Sequence, residues 1–122
     1  TIADDCGQPI NPASVHGQLL SQVVMGVGDA LFEEIITEHG HIINASFEDY
    51  KIPGVYEVPE FVHIPTGTVE PKGPFGGKEV GEGARAAVIA AIANAVADAI
   101  GARIYSLPIT PEKVLEALKA KR

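Results

Sequence analysis

Leu19, Val23, Val27, Ala30, Leu31 and Ile35 recur at intervals of three and four, the pattern of an amphipathic helix face. Asn11 as N-cap and Pro12 at the first helical position predict where that helix begins, and Gly40 predicts its stop. Gly26 and Gly28 lie inside it. Each costs roughly 1 kcal/mol relative to alanine in a helix interior, so a close contact with another backbone or a ligand is expected to offset them. The pattern then turns extended, with a short strand at 41–45, an irregular segment to Pro53, and a second strand near 61–64 in "EVPEFVHIPTG". "ARAAVIAAIANAVADAI" is helical from about 84 to 100 and ends at Gly101. Being apolar on most faces, it predicts a helix buried on most faces. A short extended piece, "RIYSLPI", leads to Thr110 and Pro111, which open a last helix with an apolar stripe of Val114, Leu115 and Leu118. The order helix, strands, helix, helix, without internal repeat, predicts an α+β arrangement with helices packed on a small sheet.

Composition narrows the class. At 122 residues, 46% of them hydrophobic, the chain is long enough for a single domain with its own core over residues 1–122. A net charge of −7 with scattered Lys and Arg argues against nucleic acid or an anionic membrane surface as partner. The single cysteine, Cys6, permits no internal disulfide and predicts a reducing, cytoplasmic setting. The most apolar stretch, 84–100, is interrupted by Arg85, Asn94 and Asp98 and is short for a span, so no membrane insertion is expected. The opening "TIADDCGQPINP" reads as the tail of a strand, as expected of a fragment, a processed subunit or a split chain.

The candidate chemistry centres on "KGPFGGKEVGEGARAA", residues 72–87, where Gly73, Gly76, Gly77, Gly81 and Gly83 surround Glu82 just ahead of the apolar helix. Glycines allow positive φ and close approach of the backbone to a ligand. The loop is not a P-loop, because Lys72 holds the place of the first glycine and Glu79 follows Lys78. "GEGARA" fits a permissive dinucleotide pattern, but no apolar strand enters it and Glu82 would oppose a pyrophosphate with like charge. Two readings of Glu82 stand side by side: a carboxylate favoured by the helix dipole that satisfies backbone donors, and a catalytic base displayed on a ligand-contacting loop.

Six ordered blocks span essentially the whole chain: "DDCGQPINPASVHGQ", "GVGDALFEE", "ASFEDYKIP", "GPFGGKEVGEG", "AIANAVADAIGARI" and "LPITPEKVLEAL". Together they resemble the C-terminal portion of the molybdopterin-binding large subunit of the xanthine dehydrogenase, aldehyde oxidase and carbon monoxide dehydrogenase family. "MGVGDAL" and "GPFGGKEVGEG" are most similar to its 4-hydroxybenzoyl-CoA reductase branch. The resemblance implies a multisubunit molybdenum hydroxylase or dehydrogenase acting on a heteroaromatic, aldehyde or aryl-CoA substrate. Glu82 matches the family's active-site glutamate, the base beside the molybdenum. Gln18 matches a glutamine that contacts the pterin, whose mixed hydrogen-bonding edge suits an amide that both donates and accepts. Gly81 and Gly83, flanking Glu82, are expected to let the backbone approach the cofactor. The implied cofactor is molybdopterin or its cytosine dinucleotide, with iron–sulfur clusters and FAD on other domains or subunits. The implied partners are the remainder of the large subunit and the iron–sulfur and FAD subunits. The chain departs from the commoner pattern at Ser21 and Gln22, where two small residues often follow, and at Met25, which replaces a frequent glutamine. A stand-alone interaction or structural domain with an idle carboxylate is the alternative.

Other candidates are weaker. His39 and His41 have the spacing to chelate a metal from one strand face, but lack further ligands nearby. His16 and His63 are isolated, Cys6 has no adjacent base to activate it, and Asp49 with Tyr50 reads as structural. Lys78 could meet a phosphate or CoA group, though an exposed loop lysine is the ordinary state.

Overall fold

The computed structural model describes residues 1–121. In chain order it has β1 (Ile2–Asp4), α1 (Pro12–Leu31), β2 (Thr37–Glu38), β3 (His41–Ile42), β4 (His63–Pro65), α2 (Gly83–Ile100) and α3 (Pro111–Ala120). β1 pairs in parallel with β4, Ile2 opposite His63 and Asp4 opposite Pro65, while β2 and β3 form a separate antiparallel hairpin. The α+β arrangement therefore holds, with two sheets of two strands each.

α1 starts as expected: the Asn11 side chain accepts from Ser14 N–H and Pro12 opens the first turn. It stops at Leu31, well short of Gly40. The carbonyl of Gly28 accepts both Phe32 N–H (2.9 Å) and Glu33 N–H (2.8 Å), and this double return closes the last turn. The β-branched run of Ile35, Ile36 and Thr37 then favours extended backbone. Asn44, buried, fixes it there by accepting from Ile36 N–H (2.9 Å) and donating to Glu34 C=O (2.6 Å). The 41–45 strand shrinks to His41–Ile42, and the hairpin turns at His39 and Gly40, both at positive φ. The 61–64 strand appears at His63–Pro65.

The core is a seam between α1 and α2. Leu19, Gln22, Val23, Gly26 and Ala30 form the buried face of α1 and meet Ala84 and Val88 of α2. Burying a leucine such as Leu19 stabilises by about 1.5–3 kcal/mol. Gly26 sits at the crossing: a Cβ there would lie 2.8 Å from Val88 Cβ and 3.1 Å from the Arg85 carbonyl. The close contact expected of Gly26 is therefore made by the second helix, and that expected of Gly28 by the folded-back Glu33 side chain and Pro53.

α2 departs from expectation. It ends at Gly101 in the left-handed conformation as foreseen, but only Ala84 and Val88 are buried. Its other faces stay largely open because α1 is the main element packed against it among the described residues; it is also the one helix among the described residues long and apolar enough to cross a membrane by length and composition. α3 is capped by Thr110 accepting from Lys113 N–H, and none of its described residues is buried, so the stripe of Val114, Leu115 and Leu118 is at most partly covered among the described residues. It is tethered through Ile109, whose N–H donates to Ala30 C=O (2.7 Å), and through Lys121, whose Nζ donates to Ile100 C=O.

The glycine loop is tied to the segment after β1. Lys78 N–H donates to Cys6 C=O (2.8 Å), Gln8 N–H donates to Gly76 C=O (2.9 Å), and Gly7 bridges Gly77. The close approach that Gly76 and Gly77 permit is thus to the chain's own backbone, with positive φ at Phe75 and Gly76. Lys78 Nζ meets Asp5 Oδ2 at 2.7 Å, and Asp5 also accepts from Thr68 N–H, Thr68 Oγ1 and Gly7 N–H. Lys78 is therefore engaged within the fold, and the Lys78 ammonium, helped by the Thr68 donors, holds the Asp5 carboxyl far below the usual carboxylate range.

Two predictions follow from these contacts. Gly26→Val is expected to lower unfolding stability by about 1–3 kcal/mol through overpacking. Gly17→Ala, on an exposed part of α1 where a Cβ meets nothing within 4 Å, is expected to raise it by roughly 0.5–1 kcal/mol. Chemical denaturation of the two variants checks this, and equal effects would contradict the crossing. For Asp5, the folded pKa lies below the unfolded one, so its contribution is complete above that unfolded value and is lost as pH falls below about 4. An NMR carboxyl titration should place Asp5 well below an ordinary aspartate and return it upward in Lys78→Met; an ordinary midpoint in the unsubstituted protein would refute the pairing.

Candidate active site

Glu82 occupies the N-cap position of α2, φ −138° and ψ −22°, and its side chain makes no capping hydrogen bond. The first-turn amide Ala84 N–H is capped instead by Gln22 Oε1 (2.9 Å), while Glu79 Oε2 accepts from the loop amides Gly81 N–H (2.7 Å) and Glu82 N–H (3.3 Å). A carboxylate near a helix start is favoured by the unpaired amides and the helix dipole, so one filling that place leaves the other available. Among the described residues the Glu82 side chain accepts from no backbone donor. Its exposed carboxylate instead lines a cavity of about 380 Å³ with Gln22, Met25, Gly81 and Arg85.

Arg85 does not neutralise this site. Its guanidinium is held by Asp29 in a two-pronged pair, Nε to Oδ2 at 2.6 Å and Nη2 to Oδ1 at 2.8 Å, and that carboxylate raises the arginine's pKa further. Next to it, Tyr50 donates its hydroxyl to Glu33 Oε2 at 2.5 Å, and the accepting carboxylate pushes the phenol pKa up. The partner of Tyr50 is thus Glu33, whereas Asp49 accepts from Ser46.

Gln18 lies on the exposed side of α1, one turn before Gln22. It lines a neighbouring cleft of about 210 Å³ with Gln8, Asn11, Lys78 and Val80, so Gln18 and Glu82 face adjacent recesses on either side of the Val80–Gly81 link. Among the described residues the Gln18 side-chain amide has no hydrogen-bond partner; only its backbone carbonyl is used, by Ser21 Oγ. Gly81 lines the Glu82 cavity, while Gly83 is the first residue of α2 and lines neither recess. Neither glycine has positive φ; a Cβ at Gly83 would meet Glu79 Oε1 at 3.1 Å.

The Gln18 amide, without a side-chain hydrogen-bond partner among the described residues, and the exposed Glu82 carboxylate in the next recess are donor and acceptor groups of the kind that fit a pterin's mixed hydrogen-bonding edge. Gln22 is the feature that sequence reasoning passed over, registering it only as a departure from small residues. The signal was a polar side chain on the apolar face of α1, three residues after Leu19 and four before Gly26.

The remaining candidates stay structural. Among the described residues no group of three His, Cys, Asp or Glu could hold a metal ion, so His39 and His41 stand as residues of an exposed hairpin. His16, Phe61 and His63 cluster, His16 and Phe61 with ring centres 5.1 Å apart. Cys6 is buried, and burial, then the nearby Asp4 carboxylate, pushes its thiol pKa up, away from nucleophilic use.

Residues 1–59 match the molybdopterin cofactor-binding domain. The nicotine 6-hydroxylase large subunit of Paenarthrobacter nicotinovorans is 41% identical over 122 residues, covering 95% of this chain and 15% of that protein. An aldehyde oxidoreductase from Megalodesulfovibrio gigas is 39% identical over 123 residues, covering 98% and 13% respectively. The crystal structure of quinoline 2-oxidoreductase from Pseudomonas putida 86 superposes with a TM-score of 0.89 at 32% identity, over 96% of this chain and 15% of that one. The chain thus spans about 15% of the length of such relatives. It belongs to the molybdopterin cofactor-binding family that includes xanthine dehydrogenases, aldehyde oxidoreductases and carbon monoxide dehydrogenases.

Proposed function

We propose that this chain forms one wall of the active site of a molybdenum hydroxylase or dehydrogenase, with Glu82 as the base. The observation that carries the reading is the division of labour between two carboxylates: Glu79 caps the loop amides, and Glu82 is left without a structural task in a cavity open to a ligand. When bound, molybdopterin supplies the redox centre and the activated oxygen that such oxidations require. Glu82 would hold a proton-accepting carboxylate beside the bound cofactor, a role for which a positioned base is worth about 10²- to 10⁴-fold. Gln18, in the adjoining cleft, would hold the pterin edge through an amide able both to donate and to accept. Gly81, beside Glu82 in the cavity, adds no side chain to the approach. Met25 and the Asp29-paired Arg85 complete the wall, which is compatible with a heteroaromatic, aldehyde or aryl-CoA substrate.

The rest of the site comes from a partner. The likeness to large molybdenum subunits of which this chain spans about 15% supports the remainder of such a subunit as that partner, with iron–sulfur and FAD units carrying electrons onward in the cytoplasm. An apolar groove of about 530 Å³ between α1, α2 and β1, floored by Val23, Val27, Val88 and Ile92, and the uncovered stripe of α3 offer it a docking face.

Glu82→Gln in the assembled enzyme is expected to leave molybdenum content nearly intact and to lower turnover by about 10²- to 10⁴-fold; undiminished turnover removes Glu82 from the mechanism and favours a non-catalytic domain. The chain expressed alone is expected to self-associate through its exposed apolar faces. Light scattering checks this, and a monodisperse monomer would count against the docking role.

A further inference from the structure

We infer that Gln22 is the positioning residue for Glu82, a role that rests on the reading of Glu82 as base. Gln22 lies in the middle of α1 and is 2% exposed, so its amide must find partners inside the protein. It finds two, both in the glycine loop: Nε2 donates to Val80 C=O at 2.5 Å, and Oε1 accepts from Ala84 N–H at 2.9 Å. These two backbone groups bracket Gly81–Glu82–Gly83, so one side chain grips the loop on both sides of the carboxylate. Glycines on each side of Glu82 leave the backbone with the widest choice of conformations, and a bare loop of this composition would not present a carboxylate in one place. Glu79 fastens the amides of Gly81 and Glu82 from the solvent side, and Gln22 fastens the loop to the helix from within.

The grip also ties the loop to the helix crossing. Gln22 is one turn from Gly26, where α1 lies against Arg85 and Val88, so the same face of α1 that seats α2 also seats the loop that precedes it. Gln22 lines the Glu82 cavity as well, and a change there moves the carboxylate without removing it. A displacement of about 1 Å at a reacting group can cost on the order of 10²-fold in rate.

Gln22→Met keeps the side chain's length and apolar stem and deletes both hydrogen bonds. In the assembled enzyme it is expected to speed hydrogen exchange of the Ala84 amide and to lower kcat by about 10- to 100-fold, with KM and molybdenum content little changed. On a Glu82→Gln background the same substitution is expected to cost almost nothing further, because residues acting through one another are not additive. An unchanged kcat, or an equal loss in both backgrounds, overturns the positioning role. Gln22→Glu, which keeps an acceptor for Ala84 N–H and loses the donor to Val80, serves if the methionine variant does not assemble. It should retain Ala84 protection and lose part of kcat, and full kcat would equally overturn the role. Wild-type turnover in Glu82→Gln alone would instead refute the base, and the Ala84 exchange rate tells that failure apart from the absence of the clamp.

Discussion

The approach of α1 to α2 at Gly26 is the constraint on which the rest depends. With no side chain between them, the α1 backbone reaches Val88 and the carbonyl of Arg85. That distance decides whether Gln22 reaches the loop ahead of α2 and whether Asp29 reaches the guanidinium of Arg85. Two polar links and an apolar seam are therefore consequences of one missing methyl group. The conformational penalty of glycine in a helix is offset by the dispersion and burial that only its absence of bulk permits.

The glycine-rich loop combines two tasks that its composition alone does not separate. Its first half, around Phe75–Gly77, is moulded against the strand-following segment at Cys6–Gln8, and the positive φ values there serve internal backbone pairing. Its second half, Val80–Ala84, has no positive φ and is fixed by side chains, Glu79 from outside and Gln22 from inside. Only the second half carries the candidate base. Glycine there serves to keep bulk out of the cavity and away from Glu79.

Local signals were legible in the sequence wherever the physics was local. Asn11 with Pro12, Thr110 with Pro111, and Gly101 marked helix ends because a cap is a contact between near neighbours. Gly26 announced a close crossing through its propensity cost, although not what it crossed. The end of α1 was misread because its apolar spacing runs on to Ile35, whereas a buried Asn44 and the doubly used Gly28 carbonyl decide the matter from outside any helical window. The openness of α2 was hidden for a related reason: hydrophobicity states that a face wants cover, not that the cover is in the same stretch of chain. Glu82 stood out by its family pattern and its glycines. That Glu79 would take the loop amides beside it, and that Gln22 would reach across to Ala84 N–H and Val80 C=O, depends on the fold and not on any local window.

The two hydrogen bonds of Gln22 each span about sixty residues, 58 to Val80 and 62 to Ala84, and the Asp5–Lys78 pair spans 73. Contacts of such separation form late, since the entropy of closing the intervening chain must be met before they give anything back. As the polypeptide leaves the ribosome, the first helix and its hairpin can take shape while the carboxylate is still unmade. The candidate wall is in this sense a last act of folding, and a chain interrupted between α1 and α2 carries the first helix yet nothing for Gln22 to hold.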